Sequence, residues 1–267
     1  MIYPDNFEQK IGFNEIRNML RERCLSTLGK EQVEKMAFSD DAEQVNEWLK
    51  QVREFRRLIL EVEDFPLQYF YDVRESIVRI RIENTHLEEN ELFDLRRSLS
   101  TIDYIVKILN HSDEDESHAE ENDGWRREKK YTYPSLHLLA KDIVTFPQIV
   151  QRIDQILDKF GKIRDNATPE LLQIRRELAK TEGSISRTLY SILRSAQSEG
   201  VVEKDVTPTL RDGRLVIPVI PTLKKKIKGI VHDESATGKT VFIEPTEVVE
   251  ANNRVRELEG EERKEII

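Results

Sequence analysis

Residues 201–245 read VVEKDVTPTLRDGRLVIPVIPTLKKKIKGIVHDESATGKTVFIEP, a stretch rich in Val, Ile and Thr that Gly and Pro interrupt. This composition is typical of short strands joined by turns. Asp212-Gly213 stands between two apolar runs and predicts a hairpin turn. A second hairpin is predicted between 227–231 and 240–243. The stretch therefore predicts a small β-rich region.

Helical periodicity surrounds this region. Before it, Thr168-Pro169 predicts a helix start with Thr168 as the cap, and the apolar spacing predicts one helix over 169–198, about 45 Å long at 1.5 Å per residue. After it, apolar residues at intervals of three and four from Val248 to Leu258 predict another helix. The same spacing predicts further helices over 13–36, from a cap at 39–41 to Asp64, over 72–82 and over 88–109.

Segment 111–130, HSDEDESHAEENDGWRREKK, differs sharply from its surroundings. Seven acids lie between 113 and 123, and four bases follow them. Such a charged block predicts a surface loop. Its two histidines have no apolar neighbours to fix ligand geometry, so we predict no metal site there.

Composition excludes several classes of protein. The 267 residues are 35% charged and 38% hydrophobic, with a net charge of −9. Cys24 is the only cysteine, which excludes an intrachain disulfide and a zinc site built from several cysteines. The N-terminus lacks the pattern of a signal peptide, and no run approaches ~18 apolar residues. We therefore expect a cytoplasmic protein without a membrane partner.

The triplet Gly238-Lys239-Thr240 is reminiscent of a phosphate-binding loop, but its context does not fit. Such a loop needs glycine at position 233, where this chain has Asp233. A helix should follow the triplet, whereas Val241-Phe242-Ile243 predicts a strand. The bound-nucleotide interpretation is rejected in favour of a turn, and no catalytic residue or cofactor site is predicted.

The charge changes sign between Arg211 and Val231. Six bases against one acid, Asp212, make this segment +5 in a chain whose net charge is −9. Lys and Arg without interleaved aromatic residues favour contact with phosphates over base reading. The alternative without a ligand is a solvated edge strand that lysines protect from pairing.

Several motifs resemble the MutS family. They are Arg211-Asp212-Gly213-Arg214, Val216-Ile217-Pro218-Val219, Lys228-Gly229-Ile230-Val231-His232-Asp233 and Phe242-Ile243-Glu244-Pro245, with Asp165–Leu171 before them and Glu250–Arg254 after them. More narrowly, the chain resembles the second bacterial MutS paralogue, which is involved in recombination control and ribosome rescue. The likeness covers nearly the whole chain and is most specific over 165–258.

The resemblance implies a mainly α fold, with a helical core, two long antiparallel lever helices and a small β-rich clamp at their tip. The implied domains are the core over 1–164 with its acidic loop at 111–130, an outgoing lever helix over 165–200, the clamp over 201–245 and a truncated returning lever helix over 246–267. In the family, an ATPase domain after the second lever drives two such arms around nucleic acid.

The chain is accordingly expected to be a non-catalytic N-terminal fragment that binds no cofactor. By resemblance, the parent is expected to be a homodimeric ATPase that uses ATP and Mg, and the resemblance leaves open whether it carries a C-terminal nuclease domain.

Carried onto this chain, the nucleic-acid contacts of the family are predicted at Arg211, Arg214, Lys224, Lys225, Lys226, Lys228 and Lys239. His232 and Asp233 match a family motif, and we interpret them as fixing the hairpin. The functional hypothesis is a portion that grips branched or double-stranded DNA, or a stalled ribosome through its rRNA. The alternative is a coiled-coil scaffold or dimerisation module whose basic tip binds an acidic protein.

Overall fold

A computed structural model describes residues 6–112 and 130–267. The chain divides into two compact units, Met1–Ile163 and Arg164–Ile267. Most of the acidic segment predicted at 111–130 lies outside the described residues.

Unit 1 is helical. Its helices are α1 (Phe7–Lys10), α2 (Phe13–Arg23), α3 (Thr27–Glu34), α4 (Ala42–Glu61), α5 (Arg74–Arg79), α6 (Glu89–Leu109), α7 (Pro134–Ala140) and α8 (Pro147–Ile156). The predicted cap of α4 is confirmed, since Asp41 accepts hydrogen bonds from the amides of Glu43 and Gln44. A small core packs α4, α6 and α7 together. Its buried members are Leu58, Leu109, Tyr133, Leu136 and Ala140.

Unit 2 contains two helices and four strands. They are α9 (Pro169–Ser198), β1 (Thr209–Arg211), β2 (Arg214–Val219), β3 (Gly229–Glu234), β4 (Val241–Pro245) and α10 (Val249–Ile266). The start and end predicted for α9 are confirmed. The Thr168 hydroxyl accepts from the amide of Leu171 at 3.0 Å, and Gly200 follows the helix with φ at 69°.

The strands form one antiparallel sheet in the order β1-β2-β4-β3. The hairpin predicted at Asp212-Gly213 is confirmed. Asp212 and Gly213 have φ angles of 47° and 72°, as a two-residue turn with left-handed backbone requires. The second hairpin also forms, but β3 runs to Glu234, beyond the end predicted at 231, so that Val231 pairs with Ile243 and the connecting loop is shorter than predicted. The β3–β4 hairpin begins at Gly229, which pairs with Pro245.

Strands β2 and β3 flank β4 and both run antiparallel to it, so they run parallel to each other. The chain between them must therefore return along the sheet. This connection, residues 220–228, is called the crossover below. It contains a short 3₁₀ helix at Pro221–Lys226 and packs on the core through Leu223 and the buried Ile227.

The core of unit 2 combines the sheet with the second half of α9. Alternation along the strands turns one set of apolar side chains of β2 and β4 toward the helix. The buried members of this core on the strands and the two helices are Ile217, Val219, Val241, Ile243, Ile185, Leu189, Leu193, Ala196 and Val255. Sheet and helices therefore depend on the same buried apolar surface.

The expectation of two lever helices with a β-rich clamp at their tip is wrong. Helices do predominate, but the strands pack along the side of α9 and not beyond its end. Ile185, which shares the core with Ile217 and Ile243, lies about 20 Å before the end of α9 at 1.5 Å per residue. The apolar face of the sheet needs a partner, and the stripe on α9 supplies it.

Helices α9 and α10 pack antiparallel. Arg175 in α9 pairs with Glu262 in α10 at 2.7 Å, and Glu177 pairs with Arg254 at 2.9 Å. Solvent reaches both pairs, although the first is only partly exposed, and ion pairs near the surface typically contribute about 0–1 kcal/mol. Burial of apolar residues such as Leu258 therefore stabilises the helix pair more than these charges do.

A substitution at Gly229 tests how closely β3 approaches β4. A Cβ at this position would lie 2.1 Å from the carbonyl oxygen of Glu244, which is backbone and cannot rotate away. We expect Gly229→Ala to lower the free energy of unfolding by about 1–3 kcal/mol, measured by urea denaturation. Gly183→Ala in α9 is the control, because its added Cβ meets no atom within 4 Å. It should stabilise the chain by about 0.5–1 kcal/mol. Equal effects of the two changes would contradict the close approach.

Candidate nucleic-acid interface

The seven predicted contact residues lie at three places in unit 2. Arg211 ends β1 and Arg214 begins β2, on either side of the hairpin turn. Lys239 lies in the loop between β3 and β4. The other four, Lys224, Lys225, Lys226 and Lys228, lie in the crossover. The structure therefore concentrates four of the seven cations in one short connection.

The crossover lysines are exposed, whereas Ile227, which stands between Lys226 and Lys228, is buried. Ile227 is 9% exposed and belongs to the core, so Lys226 and Lys228 flank a fixed apolar anchor. Ion pairs of lysine in the described ranges involve Lys50, Lys107 and Lys162. Lys239 and the crossover lysines therefore keep their charge available to a ligand.

Arg211 is held in place by an aromatic ring and an acid. Its guanidinium carbon lies 4.2 Å from the centroid of the Phe242 ring, and its Nε lies 3.6 Å from a carboxylate oxygen of Asp233. The side chain remains 45% exposed. Arg211 therefore contributes an accessible guanidinium whose position the sheet restricts.

Arg214 points its charge into the unit. Its guanidinium donates to Glu244 at 2.7 Å and to the Asn253 side chain at 2.6 Å. Only 14% of the side chain is exposed. The predicted contact of Arg214 with nucleic acid stays a prediction, while its internal bonds give it a structural role.

Glu244 is the centre of a buried polar network, which we define as Glu244, Arg214, His232 and Asn252. The Glu244 side chain is 0% exposed, and its carboxylate is 2.5 Å from His232 Nε2 and accepts from Asn252 at 2.8 Å. Burial by itself would raise the pKa of this carboxyl group. The hydrogen bonds from His232, Asn252 and Arg214 outweigh burial and hold the pKa below its ordinary value of 4.5.

His232 reaches this network because β3 is irregular at that point. Val231 pairs with Ile243 and Asp233 pairs with Phe242, so His232 has no opposing residue on β4 and forms a bulge. A bulge redirects a side chain. The interpretation of His232 as a residue that fixes the hairpin gains its physical basis here, in a bond to β4.

Sequence reasoning missed Glu244 and Asn252 as functional parts of the unit. Glu244 stands in the run Val241–Pro245, all of which is buried. An acid within so apolar a strand must find partners, since unpaired buried charge is costly. That signal was present in the sequence, but the identity of the partners depended on the fold.

The Gly238-Lys239-Thr240 triplet forms a turn, as predicted. The Ser235 hydroxyl accepts from the amides of Lys239 and Thr240 at 3.1 and 3.0 Å, and Gly238 has φ at 66°. The chain continues directly into β4 and not into a helix. This geometry differs from the strand–loop–helix arrangement of a phosphate-binding loop.

Metal-ligand groups and membrane-spanning helices are both absent from the described residues. Within 6–112 and 130–267, no three His, Cys, Asp or Glu side chains are grouped as metal ligands. No helix in those ranges combines the length and apolar content that crossing a bilayer requires.

Known proteins resemble this chain over almost its entire length. No protein-family model matches it. It is 33% identical over 254 residues to Endonuclease MutS2 of Geobacillus sp. (strain WCH70), with 95% of this chain and 30% of the relative covered. Endonuclease MutS2 of Levilactobacillus brevis is 33% identical over 253 residues, and that of Alkaliphilus oremlandii 30% identical over 254 residues, with the same two coverages. The chain thus spans about 30% of the length of these curated relatives. The similarity supports a MutS2-type family for this chain.

The polar network should make stability depend on pH through Glu244. Because its pKa is lowered on folding, the ionised carboxylate contributes stability above pH 4.5, and that contribution is lost as the pH falls below this value. Glu244→Gln removes the charge at every pH. The difference in free energy of unfolding between wild type and this variant should therefore be largest at neutral pH and narrow below pH 4.5. Urea denaturation across this range measures it.

Glu259→Gln provides the matched control, since Glu259 lies exposed on α10. Its effect should be within about 0.5 kcal/mol and change little with pH. A Glu244→Gln difference that stays constant as the pH falls would contradict the role assigned to the carboxylate.

Proposed function

We propose that this chain is a nucleic-acid-contacting portion of a MutS2-type protein, and that the crossover lysines bind the sugar–phosphate backbone. The curated relatives carry the name endonuclease, which describes an enzyme that cuts nucleic acid. We extend that class of target to this chain. In the proposal, the portion holds branched DNA or the rRNA of a stalled ribosome, and nuclease activity belongs to the whole protein.

One observation carries the proposal. Four exposed lysines, which form no ion pair with an acid in 6–112 or 130–267, lie within five positions on a chain whose net charge is −9. A random solvated surface of such a protein would carry more acids than bases. The phosphates carry the negative charge of nucleic acid, and a cluster of lysines attracts them.

The anchoring of the crossover also supports the proposal. Leu223 and Ile227 pack on the core from within the crossover. The backbone that carries the lysines is therefore held in place before any ligand arrives. Binding then costs mainly side-chain ordering and not the ordering of a loop.

The residue types favour contact with phosphates over base reading. A lysine ammonium is a point charge with rotatable donors, whereas bidentate base recognition suits arginine. Arg211 and Lys239 extend the contact surface in the proposal. Arg214 supports it from beneath, because its bonds to Glu244 and Asn253 tie β2 to β4 and α10.

Charge reversal tests the proposed surface. Lys224, Lys225, Lys226 and Lys228 are changed to Glu together, and binding to fluorescent junction DNA, duplex DNA and an rRNA fragment is followed by anisotropy. Wild type should lose affinity with rising salt at a log–log slope of about −4 to −5 on duplex DNA, as expected for five neutralised phosphates. The variant should bind at least about 100-fold more weakly, and its slope should fall to between about −1 and −2, from the contacts that Arg211 and Lys239 keep.

A second quadruple variant, with Lys180, Lys204, Arg256 and Lys264 changed to Glu, carries the same change in net charge at other exposed positions of unit 2. It should bind much more tightly than the crossover variant. Equal loss in both would show that only net charge matters and would overturn the assignment to the crossover. An acidic protein bound with the same lysine dependence, while nucleic acid is not bound, would support the scaffold alternative.

A further inference from the structure

Beside the crossover lies a shallow cavity of about 310 Å³. It opens between the last turns of α9, the segment after this helix and the crossover. Three of its lining residues, Ala196, Val201 and Ile227, belong to the buried core. The floor of the cavity is therefore apolar.

The rim of the cavity is polar and carries both signs of charge. Lys226 and Lys228 line one part of it, and Glu199, Glu247 and Ser195 complete it. The two lysines are members of the proposed phosphate-binding surface. An apolar floor next to phosphate-binding cations matches the two halves of a nucleotide, a flat ring and a charged backbone.

We propose that this cavity receives one unpaired nucleobase, whose flanking phosphates lie on Lys226 and Lys228. This inference rests on the proposed function and adds the class of nucleic acid that the site prefers. Ligand pockets are typically about 300–1,000 Å³. The cavity lies at the lower end of this range and suits one ring system better than a longer ligand.

The carboxylates at the rim explain why a base enters and a phosphate does not. Glu199 and Glu247 repel a phosphate from the cavity, but they accept hydrogen bonds from exocyclic amino groups. Cytosine, adenine and guanine carry such amino groups, whereas thymine carries none. An unpaired base with an exocyclic amino group is therefore preferred over an unpaired thymine. Its removal from a stack is least costly where it has no pairing partner.

The test compares two duplexes of equal length, one fully paired and one with a single unpaired cytosine, by anisotropy with the 267-residue chain. Wild type should bind the duplex with the unpaired base about tenfold more tightly, from burial of one ring against the apolar floor. Ser195→Phe should fill the cavity from its rim, abolish this preference and leave the affinity for the paired duplex unchanged. Ser198→Phe, on the same exposed turn but outside the cavity lining, should keep the preference.

A variant with an unchanged fold provides a second readout. Glu247 is exposed, and Glu247→Gln should weaken the preference for an unpaired cytosine over an unpaired thymine, because an amide can present a donor where the carboxylate only accepts. Thermal unfolding of all variants shows whether Ser195→Phe folds as Ser198→Phe does.

The outcomes separate this inference from the function on which it rests. Salt-sensitive, lysine-dependent binding with equal affinity for both duplexes would overturn the base site and leave the phosphate surface in place. A preference that survives Ser195→Phe in a folded variant would also overturn it. Failure of wild type to bind either duplex would overturn both proposals.

Discussion

The carboxylate of Glu244 is fully buried, and a buried charge needs partners. Side chains from β2, β3 and α10 meet at this carboxylate and supply them. Arg214 comes from β2, His232 from β3 and Asn252 from α10, and each bonds to an oxygen of this one side chain. Removal of one partner of a buried ion pair typically costs about 3–5 kcal/mol, since the other charge remains buried. The network thus links both neighbours of β4 and the helix that follows it.

The rest of the unit is arranged around this strand. Its other face contributes Val241 and Ile243 to the core under α9, so β4 is buried on both sides. A shift of its register by one residue would turn these apolar side chains away from the core and turn Glu244 into it. Gly229 supplies the close approach that brings β3 against the strand. The end of the crossover is then fixed by the start of β3. The hydrogen bonds of Glu244 on one face of β4 and the apolar contacts on its other face therefore fix the strand against which the end of the crossover is placed.

Local signals in the sequence were sufficient for the elements but not for their assembly. Thr168-Pro169 and Gly200 bound a 30-residue helix because capping and backbone preferences act within one turn. Asp212-Gly213 specified a turn for the same reason. The placement of the strands against the side of α9 depended on contacts between residues far apart in the chain. The interpretation of a sheet at the tip of two levers failed there, since an amphipathic helix and a strand show only that each has an apolar face, and not which faces meet.

The candidate site likewise has a part that the sequence predicts and a part that depends on the fold. Clustered lysines can be read from the sequence, because an excess of one charge over a short segment needs no knowledge of the fold. The sequence does not separate Arg214 from Arg211, although both flank the same turn. In the fold, alternation and strand pairing give Arg211 a ring and a remote acid, and give Arg214 a buried carboxylate. Two arginines three positions apart, on either side of one turn, thus have different roles: Arg211 faces solvent and Arg214 neutralises a buried acid. The positive charge of this region therefore has two uses: Arg214 neutralises the buried Glu244, which ties the strands together, and the other cations face solvent.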